Sequence, residues 1–118
     1  PSQVYINEAG TLTFFWETDR PFNTLSLDWG DWNLDGRSDC LAIGNSGQHS
    51  LVYDVIDVNN SITITFGITV GLGTEPRNTH SIAWGDWDGD GDLDLAAANH
   101  AFQPLTVYTN QSAFTLAW

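Results

Sequence analysis

Lysine and methionine are both missing from this chain. Arg20, Arg37 and Arg77 stand far apart and face 15 acidic residues, for a formal charge of −12. Nucleic-acid binding needs a basic footprint, so that class is excluded. No apolar run approaches the roughly 18 residues of a membrane-spanning helix. Cys40 is the one cysteine, so no internal disulfide can form; its place in an apolar run predicts a buried, inert thiol. Also absent are G-x-S-x-G, a phosphate-cradling glycine loop and C-x-x-C, and His49, His80 and His100 are widely separated in the sequence. No enzyme is expected. The lack of methionine and the start at Pro1 predict a processed or excised part of a precursor.

What is present is acidic, and it is patterned. The run WGDWDGDGDLDL (Trp84–Leu95) sets carboxylates at Asp86, Asp88, Asp90, Asp92 and Asp94, with a glycine at Gly91. Carboxylates this dense repel one another unless a cation sits among them. Hard oxygen donors in one tight loop suit Ca²⁺, which takes 6–8 oxygens at about 2.3–2.6 Å. WGDWNLDGRSDCL (Trp29–Leu41) repeats the device with Asp31, Asn33, Asp35, Gly36 and Asp39. An EF-hand would need a glutamate at its twelfth position, where Ala42 and Ala97 stand instead, and helices on both sides. The flanks read as strands, so each loop is expected to join two antiparallel strands. Side chains at positions 1, 3, 5 and 9 would bind the ion, with the main-chain carbonyl of Arg37 or Asp92 at position 7. The different charges of those two side chains fit a main-chain ligand. The competing reading is an acidic turn that holds no ion.

The chain repeats itself. PFNTLSLDWGDWNLDGRSD (Pro21–Asp39) aligns without gaps on PRNTHSIAWGDWDGDGDLD (Pro76–Asp94), 55 residues later. A hairpin-like element recurs three times, at 4–16, 52–66 and 107–118, each opening on Val-Tyr. Each full unit then reads as four strands, with the acidic loop between the first two.

The W-G-D-W-D-G-D-G-D-L-D-L motif, an Asn-ended strand and a following V-Y strand resemble the FG-GAP/VCBS repeats of integrin-type β-propellers. The resemblance implies an all-β chain of four-stranded antiparallel blades, about two and a half of them: a partial blade at 1–16 and blades at 21–66 and 76–118 in one domain spanning 1–118. It implies Ca²⁺ at two sites, on Asp31, Asn33, Asp35, Arg37 and Asp39, and on Asp86, Asp88, Asp90, Asp92 and Asp94. Propellers close with 4–8 blades. The remainder would come from other copies of the chain, from the rest of a larger propeller, or from an open stack of blades.

With 42% hydrophobic and 13% aromatic residues the chain can bury a core. The expected function is a calcium-binding extracellular structural or interaction module that self-assembles as a filament, a surface layer or a multi-chain propeller. An adhesion or glycan-binding (lectin) fragment is the alternative, with a glycan or protein ligand. Trp29, Trp32, Trp84 and Trp87 read as blade-packing residues or lids over the ion, with sugar stacking as the other option. Trp16 and Trp118 are expected at the surface unless another blade or chain covers them. Two sequons, at Asn59 and Asn110, mark possible glycosylation in equivalent turns.

Overall fold

The computed structural model describes residues 1–38, 40–58, 61–65, 72–111 and 114–116, with side chains outside 55–58, 61–65 and 114–116. It is all-β, with no helix among the described residues. The strands are β1 (Gln3–Glu8), β2 (Thr11–Glu17), β3 (Thr24–Gly30), β4 (Cys40–Gln48) and β5 (Leu51–Val58). They continue as β6 (Ser61–Thr65), β7 (Arg77–Gly85), β8 (Asp94–Asn99), β9 (Thr106–Asn110) and β10 (Phe114–Leu116). Every pairing is antiparallel.

β1 and β2 form a separate hairpin. Its two-residue turn has φ of 51° at Ala9 and 90° at Gly10, the positive pair that a tight twisted hairpin demands. β3–β6 and β7–β10 are two successive four-stranded meanders. A short bridge joins them, with Ser46 opposite Asn78 and Gln48 opposite Arg77. The sheet path is open among the described residues. Phe66, Trp118 and Asn59, singled out above, lie outside those residues.

β4 is buried on both faces from Cys40 to Asn45, as its unbroken apolar start predicts. One face of it, Ala42 with Val52 of β5, joins Leu72, Ile82, Leu95, Ala97 and Tyr108 in the core between the two meanders, and Trp84 packs against this cluster. The other face presents Leu41, Ile43, Leu51 and Tyr53 to Val4, Trp16 and Phe22. The Trp16 and Tyr53 rings meet edge to face at 5.1 Å. Trp16 is therefore half-buried against the next unit of its own chain, which is the covering blade that the sequence left open. Burial, and secondarily the charge of Asp19, push the Tyr53 phenol up to about 12. Cys40 is fully buried, as expected, with its thiol donating to Asp54 Oδ1 at 3.2 Å.

A polar clamp repeats with the strands. Thr24 Oγ1 donates to Asn45 Oδ1, Asn45 Nδ2 donates to the His49 carbonyl, and Gln48 Oε1 accepts from Asn23 N. Thr79, Asn99, the Pro104 carbonyl, Gln103 and Asn78 make the same three bonds in the second meander. Each clamp satisfies the groups where the second strand turns into the third, which fixes how the units begin and end.

Candidate metal centre

Both acidic loops connect the first two strands of a meander, as their flanks predict. In each, the first aspartate caps the backbone N–H of the sixth residue: Asp31 Oδ2 accepts from Gly36 N at 2.9 Å, and Asp86 Oδ2 from Gly91 N at 3.1 Å. The third residue caps the fifth, Asn33 to Asp35 and Asp88 to Asp90, both at 3.2 Å. The fifth caps the seventh, Asp35 to Arg37 and Asp90 to Asp92, both at 3.0 Å. These bonds curl the chain around its own carboxylates. The curl needs a left-handed residue at the sixth position, where Gly36 and Gly91 have φ of 89° and 98°.

The second loop gathers its acids. Carboxylate oxygens of Asp86, Asp88 and Asp94 all lie within 4.8 Å of one another. Asp90 is outside this trio, and Asp92 Oδ1 is buried with no hydrogen-bond partner among the described residues. Loss of solvent pushes the Asp88 carboxyl upward against its backbone bond from Asp90, and the charges of Asp90, Asp94 and Asp86 add to the rise. Loss of solvent and the adjoining Asp90 push Asp92 up to about 6. Anionic oxygens crowded this closely suit a hard cation. Asp86, Asp88, Asp90 and Asp94 would hold it through side chains, and Asp92 through its carbonyl.

Asp94 has a further role that the motif does not announce. Its carboxylate is 1% exposed and accepts from Trp87 N at 2.8 Å and from Asn110 N at 2.9 Å. Asn110 Nδ2 in turn donates to the carbonyl of Trp32, in the first loop, at 2.9 Å. Asp94 and Asn110 thus tie the second loop to β9 and, across the units, to the first loop. Asn110 is buried, so a glycan on its side-chain nitrogen has no room in this fold, and that sequon is set aside.

The first loop departs from the second in three ways. Arg37 Nη2 pairs with Asp35 Oδ2 at 3.2 Å, and this contact holds the Asp35 carboxyl below the usual carboxylate range. The side chain at the seventh position is thus not indifferent, because it places a competing cation on a ligand. Leu34 sits at φ 58° where the second loop has Gly89 at 79°. Finally, the gapless alignment fails at the strand. Gly30 faces Cys40 and Trp29 faces Leu41, whereas Gly85 faces Asp94 and Trp84 faces Leu95. Cys40 therefore takes the place of Asp94, one residue past Asp39, and Asp39 itself lies outside the described residues.

These departures predict which changes improve the first loop. Leu34→Gly removes a left-handed backbone that costs about 1–2 kcal/mol in a residue with a Cβ. Arg37→Gln releases Asp35. Together they are expected to raise calcium affinity at the first loop by about tenfold, read as a second binding event in calorimetry; an unchanged titration would contradict the account.

His80 and His100, distant in sequence, come to 6.2 Å between ring centres. Both are exposed, and among the described residues no acid or cysteine joins them in a metal-holding group. Trp84 is a packing residue, while Trp87 is 61% exposed.

No curated protein and no solved structure matches this chain significantly. A family model for the FG-GAP-like repeat matches residues 31–97, from the first aspartate of one loop through the second loop and into β8. That span exceeds half of the 118 residues and holds both loops with β4–β7 between them. The chain therefore belongs to the FG-GAP-like repeat family.

Proposed function

We propose that this chain is a calcium-stabilised structural and interaction module of the extracellular space, its two meanders serving as β-propeller-type blades and β1–β2 as part of a third. The observation that carries this reading is the Asp86, Asp88 and Asp94 trio inside a loop already curled by its own caps. A site built from one short loop fits the weak affinities useful where free Ca²⁺ is millimolar. The module works by holding surfaces, not by catalysis: the crowded carboxylates have neither the 5–9 Å separation of a glycosidase pair nor a nucleophile beside them. Two blades and a hairpin fall short of a closed ring, which favours completion by other copies or by further blades. A glycan-binding role is the second reading. It is favoured by the cavity of about 460 Å³ lined by Arg20, Phe22, Gln48 and His49.

Titration calorimetry with CaCl₂, paired with thermal melts in EDTA and in Ca²⁺, tests the proposal. At free Ca²⁺ 100-fold above Kd, one site adds about 2.7 kcal/mol to stability, roughly 10 °C in this size class. Mg²⁺ should substitute poorly, because it keeps its waters and demands a smaller octahedral site. Equal midpoints in EDTA and in Ca²⁺ would end the calcium reading.

A further inference from the structure

β3 and β7 are the same two-faced strand in different company. On β7, Ile82 and Trp84 turn toward the first meander, and Trp84 lies so close over Gly30 that a Cβ there would sit 2.8 Å from its ring. Trp84 N donates to Asp28 Oδ2 at 3.1 Å, and Ile82 N donates to Ser26 Oγ at 3.2 Å. Ser26, Asp28, Gly30, Ala42 and Val52 are thus the socket for the Ile82–Trp84 face. Their equivalents by register are Ser81, Ala83, Gly85, Ala96 and Val107. There the socket is open: Ser81, Ala83 and Gly85 are exposed, and a Cβ at Gly85 meets nothing within 4 Å. A cavity of about 200 Å³ lies among Ala83, Gly85, Ala96 and Val107. The matching plug is also uncovered, since Leu27 and Trp29, the equivalents of Ile82 and Trp84, are 57% and 39% exposed.

We propose that the open Ala83–Gly85–Ala96–Val107 socket receives Trp29 and Leu27 of a second copy of this chain, repeating between molecules the contact that joins the two meanders within one. The occupant follows from the internal contact, which shows what a socket of this composition accepts. Gly85 gives the indole its close approach, Ser81 supplies the hydroxyl acceptor for Leu27 N, and an apolar face that would otherwise stay wet is covered. Plug and socket lie on different faces of the chain, so the contact is heterologous and propagates until a ring closes or a filament grows. In the copy that offers Trp29, β1–β2 holds the outer half of the same face through Val4 and Trp16. The incoming β9–β10 brings the same Val-Tyr step at Val107 and Tyr108, so docking exchanges one hairpin for its equivalent.

The inference rests on the propeller-type structural reading, and two variants test it separately from calcium binding. Trp29→Ser keeps the socket and lacks the plug; Ala83→Leu, at an exposed socket residue facing Ala96 and not a ligand, keeps the plug and fills the socket. In millimolar Ca²⁺ the wild-type chain is expected to sediment as multiples of 13.0 kDa, and each variant alone as a monomer. An equimolar mixture should form a 1:1 pair and grow no further, because only one intact interface remains per pair. That rescue also rules out misfolding as the cause of the monomers. Calorimetry with CaCl₂ on the same samples separates the two failures. A wild-type monomer that binds Ca²⁺ overturns the interface alone, and a chain that binds none overturns the calcium reading. Variants that assemble unmixed, or a mixture that stays monomeric, also overturn the interface.

Discussion

Asp94→Ala is expected to lower the melting temperature even in EDTA, by roughly 8–24 °C, whereas Asp88→Asn should lower it only when Ca²⁺ is present. The two aspartates stand in the same candidate site and differ in what else they hold. Asp94 is almost fully buried and takes both Trp87 N and Asn110 N. Alanine leaves those two N–H groups without their acceptor. At about 1–3 kcal/mol for each unsatisfied buried group, the cost of two is about 2–6 kcal/mol, and each kcal/mol is worth roughly 4 °C here. Asp88 is exposed, and its raised pKa means that the folded loop disfavours its charge. Neutral asparagine carries no charge to be deprived of solvent or repelled by Asp90, Asp94 and Asp86, and it keeps the bond to the fifth residue, as Asn33 already does for Asp35 N. The calcium-free fold should then be as stable as wild type or slightly more so. Calcium affinity should fall by about tenfold with the loss of one anionic ligand. Melts and calorimetry on both variants decide the matter. Wild-type affinity in Asp88→Asn would remove it from the ligand set, and a wild-type midpoint in EDTA for Asp94→Ala would remove the structural role of that carboxylate.

What the sequence made legible was local. The loops, the left-handed glycines, the strand order around each loop and the repeating Val-Tyr strands follow from spacing and side-chain type, and all of them stand in the fold. What it hid was set by pairing across the chain. The shift that puts Cys40 where Asp94 belongs is invisible while two nineteen-residue strings align without a gap, since it exists only in which residue faces Gly30 and which faces Gly85. The Asn110 sequon leaves glycosylation open, because three residues carry no information about burial. The clamp of Asn23, Thr24, Asn45 and Gln48 was present twice in the sequence, but only the closing of the third strand brings its donors and acceptors together. Arg37 looked free because a main-chain ligand places no demand on its side chain, yet a guanidinium two residues from an aspartate finds it.

Gly30 and Gly85 occupy the same position in successive units, and Gly→Ala at the two is expected to give results of opposite sign. A Cβ on Gly30 would sit 2.8 Å from Cδ1 and Cγ of Trp84 and 2.9 Å from its Nε1. The ring cannot yield freely, because Trp84 packs on the core between the meanders and its backbone N is held by Asp28 Oδ2. Overpacking of this kind costs about 1–3 kcal/mol, or roughly 4–12 °C, and the cost falls on the contact that joins the two meanders. At Gly85 the added methyl enters open space. Neither glycine has a positive φ, so alanine is conformationally acceptable at both, and restricting the unfolded chain should add about 0.4–1 kcal/mol at Gly85. The comparison is cleanest in a Trp29→Ser background, where no second copy can reach the socket. Thermal melts of the two variants give the answer directly. If Gly30→Ala melts with or above Gly85→Ala, Trp84 does not lock the units together, and the internal contact loses its standing as the template for one between chains.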